Sequence, residues 1–339
     1  MTLRARHAAM GLLVVPVVSA AEVPSVAVDI PPVYSLVDTV MGELGTPDLL
    51  VQPGASPHGY SMRPSEAAAL DRADVVFWIG KDLTPWLAHS LENLAGDADK
   101  VELMDVPGTQ KLEFRQGATF EAHDHGDHGH ADHDHDHDHD HDHDHDHDHD
   151  HDHDHDHEAA HGHDHHGHDP HGWLDPVNAQ VWLDAIADSL SEADPENAAT
   201  YRENANLGKA ELSTLTEELE ERFANRPEPR FIVFHDAYQY FENRFGISAA
   251  GAISLGDASQ PSPARIDELR KRVDELNVDC VFSEPQFNPK LVESVFGGTG
   301  VETSSVIDPL GTGIPLDSHF YPTLLRQLAD EIASCRETH

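Results

Sequence analysis

The sequence predicts an α/β protein of two lobes, each with a mostly parallel sheet, joined by a long rigid helix and facing each other across a cleft. Three observations carry this. Short apolar runs alternate with helix-period patterns from Val26 to Met104, the order that builds a parallel sheet covered by helices on both faces. The same alternation restarts after Pro227 and Pro229. Between the two, Pro195 opens a helical stretch to about Asn225, with Leu207, Leu212, Leu215, Leu219 and Phe223 at helical spacing. That stretch is long for a globular helix and reads as a stiff connector. A chain of 339 residues is long enough for two such cores.

The elements follow in order. Val26–Ile30 reads as a strand, and a helical pattern runs through Tyr34, Leu36, Val37, Val40 and Met41. Leu49–Val51 is the next strand, and Pro64 opens a helix to Leu70, proline being tolerated in a first turn. Val75–Ile79 is a buried strand ended by Gly80. A helix from Pro85 to Leu94 and a strand near Val101–Met104 complete the first series. Asn178 to Leu190 is amphipathic. In the second lobe, strands are expected at Phe231–Phe234, Ser248–Ile253, Cys280–Phe282 and near Val301. Helices are expected over 236–245, 263–276, 289–296 and from about Ser318 to Ala333. The expected divisions are a signal peptide over 1–21, a first lobe over 22–194 with an insertion at 121–169, a connecting helix over 195–226 and a second lobe over 227–339.

The start of the chain reads as a cleavable secretory signal. Arg4 and Arg6 form a positive region, residues 8–18 are mostly apolar, and the small residues Ser19, Ala20 and Ala21 follow. The apolar stretch is short for a bilayer span. No Cys stands at the cut site, so a lipid anchor is not expected. The mature protein is expected to be exported and soluble.

Composition narrows the function. The formal charge is −42, and the chain remains strongly acidic outside the insertion. Nucleic-acid binding requires Lys and Arg in local excess, and 21 of them stand against 63 Asp and Glu, so no nucleic-acid partner is expected. An acidic surface suits solubility and the attraction of cations, and suits a saline habitat equally. The two cysteines, Cys280 and Cys335, read as a disulfide in an oxidising compartment or as two separate buried thiols.

The insertion contains unbroken alternation of His and Asp from Asp132 to His157. Most of the 29 His lie between His123 and His171. The run has no apolar residue to offset the entropy of ordering its backbone. Imidazole and carboxylate are the ligands of borderline divalent ions, above all zinc. Either the tract gathers metal weakly at the cleft mouth or senses its surplus, or it is a solvated insertion with incidental affinity.

Four positions sit where a metal cleft needs them. His58 lies in PGASPHGYSMRPS after a strand, and His171 in DPHGWLDP after the tract. His235 follows Phe231–Phe234 directly, and Asp308 lies in the loop VIDPLG. Ligands of open α/β sheets bind beyond the carboxyl ends of the strands. Three imidazoles and one carboxylate form a four-coordinate set that suits zinc. Singly each is weak, because a lone His is usually structural and Asp before Pro is usually a turn former. His89 and His319 read as surface residues, His7 as part of the signal and His339 as part of the terminus. No HExxH motif and no nucleophile paired with a base is present, so an enzyme is not expected.

The segments PGASPHGYSMRPS, HGWLDP, FHDAYQYFE, CVFSEPQF and IDPLGTG resemble, in order and over nearly the whole mature chain, the zinc-specific periplasmic solute-binding proteins of bacterial ABC transporters, the ZnuA type. The resemblance implies two α/β lobes joined by a long helix, with Zn²⁺ as the transported ligand held between them by His58, His171, His235 and Asp308. In zinc-specific members water or another carboxylate can replace that aspartate. Glu284, in EPQF, is at best a supporting residue. The resemblance also implies a Cys280–Cys335 disulfide, worth about 4 kcal/mol in the chain-entropy model. The expected function is periplasmic capture of Zn²⁺ by a monomer and its delivery to an inner-membrane ABC permease. The alternatives are a solute-binding protein for manganese or another divalent metal, and a periplasmic zinc buffer. In manganese-type relatives a carboxylate stands in place of His235, so the third imidazole favours zinc. Binding requires neutral imidazoles, so affinity is expected to fall below about pH 6.5.

Overall fold

A computed structural model describes residues 23–115, 167–224, 229–254, 262–276, 278–301, 303 and 305–335. The signal segment over 1–21, His7, His339 and the His/Asp run lie outside the described residues.

The first sheet holds β1 (Val26–Val28), β2 (Asp48–Leu49), β3 (Val75–Trp78) and β4 (Asp99–Glu102) in the order β2-β1-β3-β4. All three pairings are parallel, with Val26 opposite Val75 and Val75 opposite Asp99. β1 and β3 are wholly buried, which is why they read as continuous apolar runs and not as alternation. Their crossovers are α1 (Pro31–Met41), α2 (Pro64–Arg72) and α3 (Pro85–Leu94). Each helix has proline in its first turn, where no backbone donor is lost to the helix ladder. The strand expected near Val101–Met104 begins earlier, at Asp99. Leu103–Asp105 tightens into a 3-10 turn, which turns the buried Leu103 and Met104 toward the core.

A second sheet has β5 (Phe231–His235), β6 (Gly251–Ser254) and β7 (Cys280–Val281), in the order β6-β5-β7 and also parallel. A parallel bridge from Ser283 to Val306 extends it. No strand forms near Val301 among the described residues; the pairing there is this single bridge five residues later, beside Ile307, which turns inward at 1 % exposure. Around this sheet lie α6 (Gln239–Phe245), α7 (Pro263–Leu276) and α8 (Pro289–Phe296). Gly246, in the left-handed region at φ 65°, ends α6 where expected, and the helix is shorter only because it begins at Gln239 and not at 236.

Between the sheets run α4 (Pro176–Ala193) and the 27-residue α5 (Ala198–Ala224). Helix α5 packs on α1 and α4 at Gly208, where a Cβ would stand 3.0 Å from both Leu183 and Thr39. At its far end Phe223 meets Phe241 and Phe245 of α6, with ring centroids 6.1 Å apart in each case. One helix thus packs against the helices of both sheets. The final helix, α9 (Phe320–Ser334), returns to pack on α1 and α5, and the Tyr321 N–H donates to Ser35 Oγ at 3.1 Å. One continuous apolar core therefore takes in the facing sides of both sheets with α1, α4, α5 and α9. Smaller cores lie under α7 and α8 and under α2 and α3. The Cys280–Cys335 disulfide ties the end of α9 to β7. No helix among the described residues is long and apolar enough to cross a membrane.

Asp29, at the carboxyl end of β1, is fully buried. Its carboxylate accepts the Ile30 and Ile79 N–H groups at 2.8 and 2.7 Å. Burial outweighs these two donors and lifts its pKa to about 7. The folded state therefore keeps a proton that the unfolded chain loses near pH 4. The stability due to this proton is complete below pH 4 and is lost as pH rises toward 7, at up to about 1.4 kcal/mol per pH unit. Asp29→Asn is expected to flatten this part of the decline. Urea unfolding of both proteins between pH 4 and pH 7.5 measures the difference in slope, and equal slopes would contradict the assignment.

Candidate metal site

Three imidazoles converge where the carboxyl ends of the two sheets face each other. His235 is the last residue of β5. His171 immediately precedes a 3-10 turn, Gly172–Leu174, that leads into α4. His58 lies in the loop between β2 and α2, and Trp86 of α3 pins that loop by donating its Nε1–H to the Pro57 carbonyl at 2.7 Å. The ring centroids stand 5.3 Å apart for His171 and His235, 5.6 Å for His58 and His171, and 6.1 Å for His58 and His235. One nitrogen from each ring falls within a mutual span of 4.8 Å. His171 and His235 are buried, at 2 % and 5 % exposure, and His58 is half-buried.

Two of the rings are oriented by buried carboxylates. Asp169 Oδ1 accepts both the His171 backbone N–H, at 2.9 Å, and its Nδ1–H, at 2.7 Å. Glu284 accepts the Nδ1–H of His235 at 2.8 Å. A carboxylate only accepts, so each neutral ring carries its proton on Nδ1 and keeps its lone pair on Nε2. This carboxylate–imidazole arrangement fixes the tautomer and raises the basicity of a metal ligand. Asp169 and Glu284 are 1 % and 3 % exposed. Trp173 forms the floor, its ring centroid 5.1 Å from that of His171.

Asp308, the fourth expected ligand, is not part of this cluster. Its Oδ1 accepts the Leu310 N–H at 2.9 Å and Gln286 Nε2 at 2.8 Å, and its Oδ2 accepts the Thr312 N–H at 2.5 Å. The carboxylate is taken up by its own Asp-Pro turn, the ordinary use of such a residue. His89 and His319 are exposed. Gly167, His168 and Asp169, counted with the insertion from sequence, belong to the fold. His168 pairs with Glu113 in an antiparallel bridge, and the Asp169 N–H donates to the Leu112 carbonyl at 2.8 Å. The roles of Asp169 and Trp173 were not anticipated. The only hint of Asp169 is its place two residues before His171 in DPHGWLDP.

The donor set is chemically coherent. Three neutral imidazoles offer soft-to-borderline nitrogen, which suits zinc better than magnesium or calcium. Tetrahedral Zn–N bonds of about 2.0–2.1 Å place ligand nitrogens roughly 3.4 Å apart. From a span of 4.8 Å, closure on an ion needs an inward adjustment of no more than about 1.5 Å.

Two parallel α/β lobes braced by one helix, with a buried imidazole cluster in the cleft, define a solute-binding protein suited to a divalent metal. The family model described as zinc-uptake complex component A, periplasmic, matches residues 26–335. The chain belongs to this family, the ZnuA family. It is 45 % identical over 328 residues to the high-affinity zinc uptake system protein ZnuA of Paracoccus denitrificans, covering 97 % of this chain and 96 % of the relative. It is 46 % identical over 316 residues to the protein of the same name from Brucella abortus, covering 93 % and 92 %. A crystal structure of ZnuA shares the fold, with a TM-score of 0.69 at 24 % identity over 92 % of this chain and 98 % of that one.

Proposed function

We propose that this chain captures Zn²⁺ in the periplasm and delivers it to an inner-membrane ABC permease for high-affinity uptake. His58, His171 and His235 hold the ion, and water fills the fourth position. The observation that carries this reading is the convergence of three imidazoles from separate elements within 4.8 Å, two of them oriented by buried carboxylates. Relatives that match nearly the whole chain are named as zinc uptake proteins, which supports zinc as the cargo. A fourth position held only by water leaves the ion open to exchange, which a carrier needs and a closed structural site lacks. On this reading residues 1–21 are removed on export and the mature protein acts as a monomer. The His/Asp tract takes up further ions weakly and raises their local concentration at the cleft.

Zinc titration of the full chain beside one lacking residues 123–166 tests this. One tightly held ion is expected in both, with the weaker ions confined to the full chain. Loss of the tight ion along with the tract would move the function to the tract and overturn the proposal.

A further inference from the structure

Arg115 is the last described residue before the insertion, and it reaches across the cleft. Its Nε donates to Asp236 at 3.0 Å, and its Nη2 reaches Asp236 as well. Nη1 and Nη2 donate to Glu242 at 2.7 and 3.0 Å. The three side chains are 16 %, 6 % and 4 % exposed, so the ion triplet is largely dry.

The two ends of this contact lie beside the metal site. On one side, the backbone just before Arg115 pairs with the residues that carry His171: Glu113 bridges His168, and Leu112 accepts the Asp169 N–H. Asp169 in turn orients His171. On the other side, Asp236 follows His235 directly. Glu242 lies on α6 and also accepts the Ala249 N–H at 3.0 Å, which fixes it to the approach to β6.

We infer that Arg115 is a positioning residue for the metal site, a buried clasp that holds the His171 side of the cleft against the His235 side and so sets how slowly the ion leaves. This rests on the zinc reading above. A guanidinium is required because it engages two carboxylates at once in a fixed plane, whereas an ammonium is a single point charge. Without it, two buried carboxylates face each other uncompensated and separate, and Asp236 draws the neighbouring His235 with it. The lobes themselves stay docked. Trp173 Nε1 still donates to the Pro309 carbonyl, Arg244 still pairs with Asp175, and the core is continuous. The loss therefore falls on retention of the ion and not on the fold.

The test is the rate of zinc release into excess chelator from the full chain, for wild type, Arg115→Met, Arg115→Lys, Arg244→Met and His235→Ala. His235→Ala defines the fast background of ions on the tract. Wild type is expected to show one additional slow phase. Arg115→Met is expected to keep the amplitude of that phase and accelerate it about 10–100-fold, the cost typical of lost outer support to a metal ligand. Arg115→Lys is expected to fall between the two, and a shifted visible spectrum of the Co²⁺-loaded Arg115→Met protein should report the altered geometry. Arg244→Met, which cuts another tie between the lobes but leaves the Asp175 carboxylate its Val177 N–H, is expected to lower Tm and to slow or speed the slow phase far less than Arg115→Met does. Arg115→Met or Arg115→Lys releasing zinc at the wild-type rate, with only Tm reduced, would overturn the inference. Where Arg115→Met fails to fold, Arg115→Lys alone decides. Wild type and His235→Ala releasing zinc identically would instead remove the zinc reading on which the inference stands.

Discussion

Changing His235 to Ala is expected to abolish tight zinc binding while leaving a folded protein. Zinc sites with four protein ligands are worth on the order of 10–16 kcal/mol at neutral pH, so one ligand is worth roughly 2.5–4 kcal/mol, or about a hundred- to several-hundredfold in Kd. A second effect adds to this. Glu284 is 3 % exposed and its carboxylate faces His235 Nδ1, so the substitution also leaves a buried charge without that partner. Competition against a chelator of known affinity measures the change, and the same loss is expected for His171→Ala through Asp169. Retention of the tight ion by either variant would exclude that residue from the site. The fold should tolerate both, because the rings line a cleft and contribute little to the continuous core.

Trp173→Ala is expected to be the most destabilising single change near the site. The side chain is 1 % exposed. Its Nε1–H donates to the Pro309 carbonyl at 2.9 Å, and its own carbonyl accepts the Tyr321 hydroxyl at 2.6 Å. Truncating a buried aromatic of this size costs about 3–5 kcal/mol through lost contacts and the cavity left behind, and here it also leaves the Pro309 carbonyl without its donor. The cavity opens directly under His171, so zinc affinity should fall together with stability. Thermal unfolding with and without zinc separates the two. A drop in Tm of only a degree or two would contradict the packing described for this residue.

Much of the fold is legible in the residues because burial on both faces of a parallel sheet leaves an unmistakable mark. Val75–Ile79 and Phe231–Phe234 are apolar runs opened by Asp74 and Arg230 and closed by Gly80 and His235, and α7 and α8 begin and end where their helical patterns do. The ends of elements were less legible. Asp99 and Lys100 carry charge yet form the first half of β4, because an edge strand exposes one side to water. The bridge at Val306 could not be told from the run at Val301, since both are short and β-branched. The return of α9 onto α1 depends on long-range packing that no local pattern encodes.

The site divides in the same way. His58, His171 and His235 stand out because each follows a strand or sits in a loop bounded by Pro and Gly, where a side chain can face a cleft. Asp308 has the same local signature and a different fate, because Asp-Pro turns use their own carboxylate to cap nearby N–H groups. Asp169 bonds His171 only two positions on, whereas Glu284 and Arg115 contact partners that only folding brings near. Glu284 is 49 positions from His235 and Arg115 is 121 from Asp236. Spacing along the chain carries no trace of such contacts.

Anomalous diffraction at the zinc edge from zinc-loaded crystals of the mature protein tests the central claim most directly. One strong peak is expected in the cleft, about 2.0–2.1 Å from a nitrogen of each of His58, His171 and His235. A cleft without a peak, or an ion there bound without those imidazoles, would contradict the account.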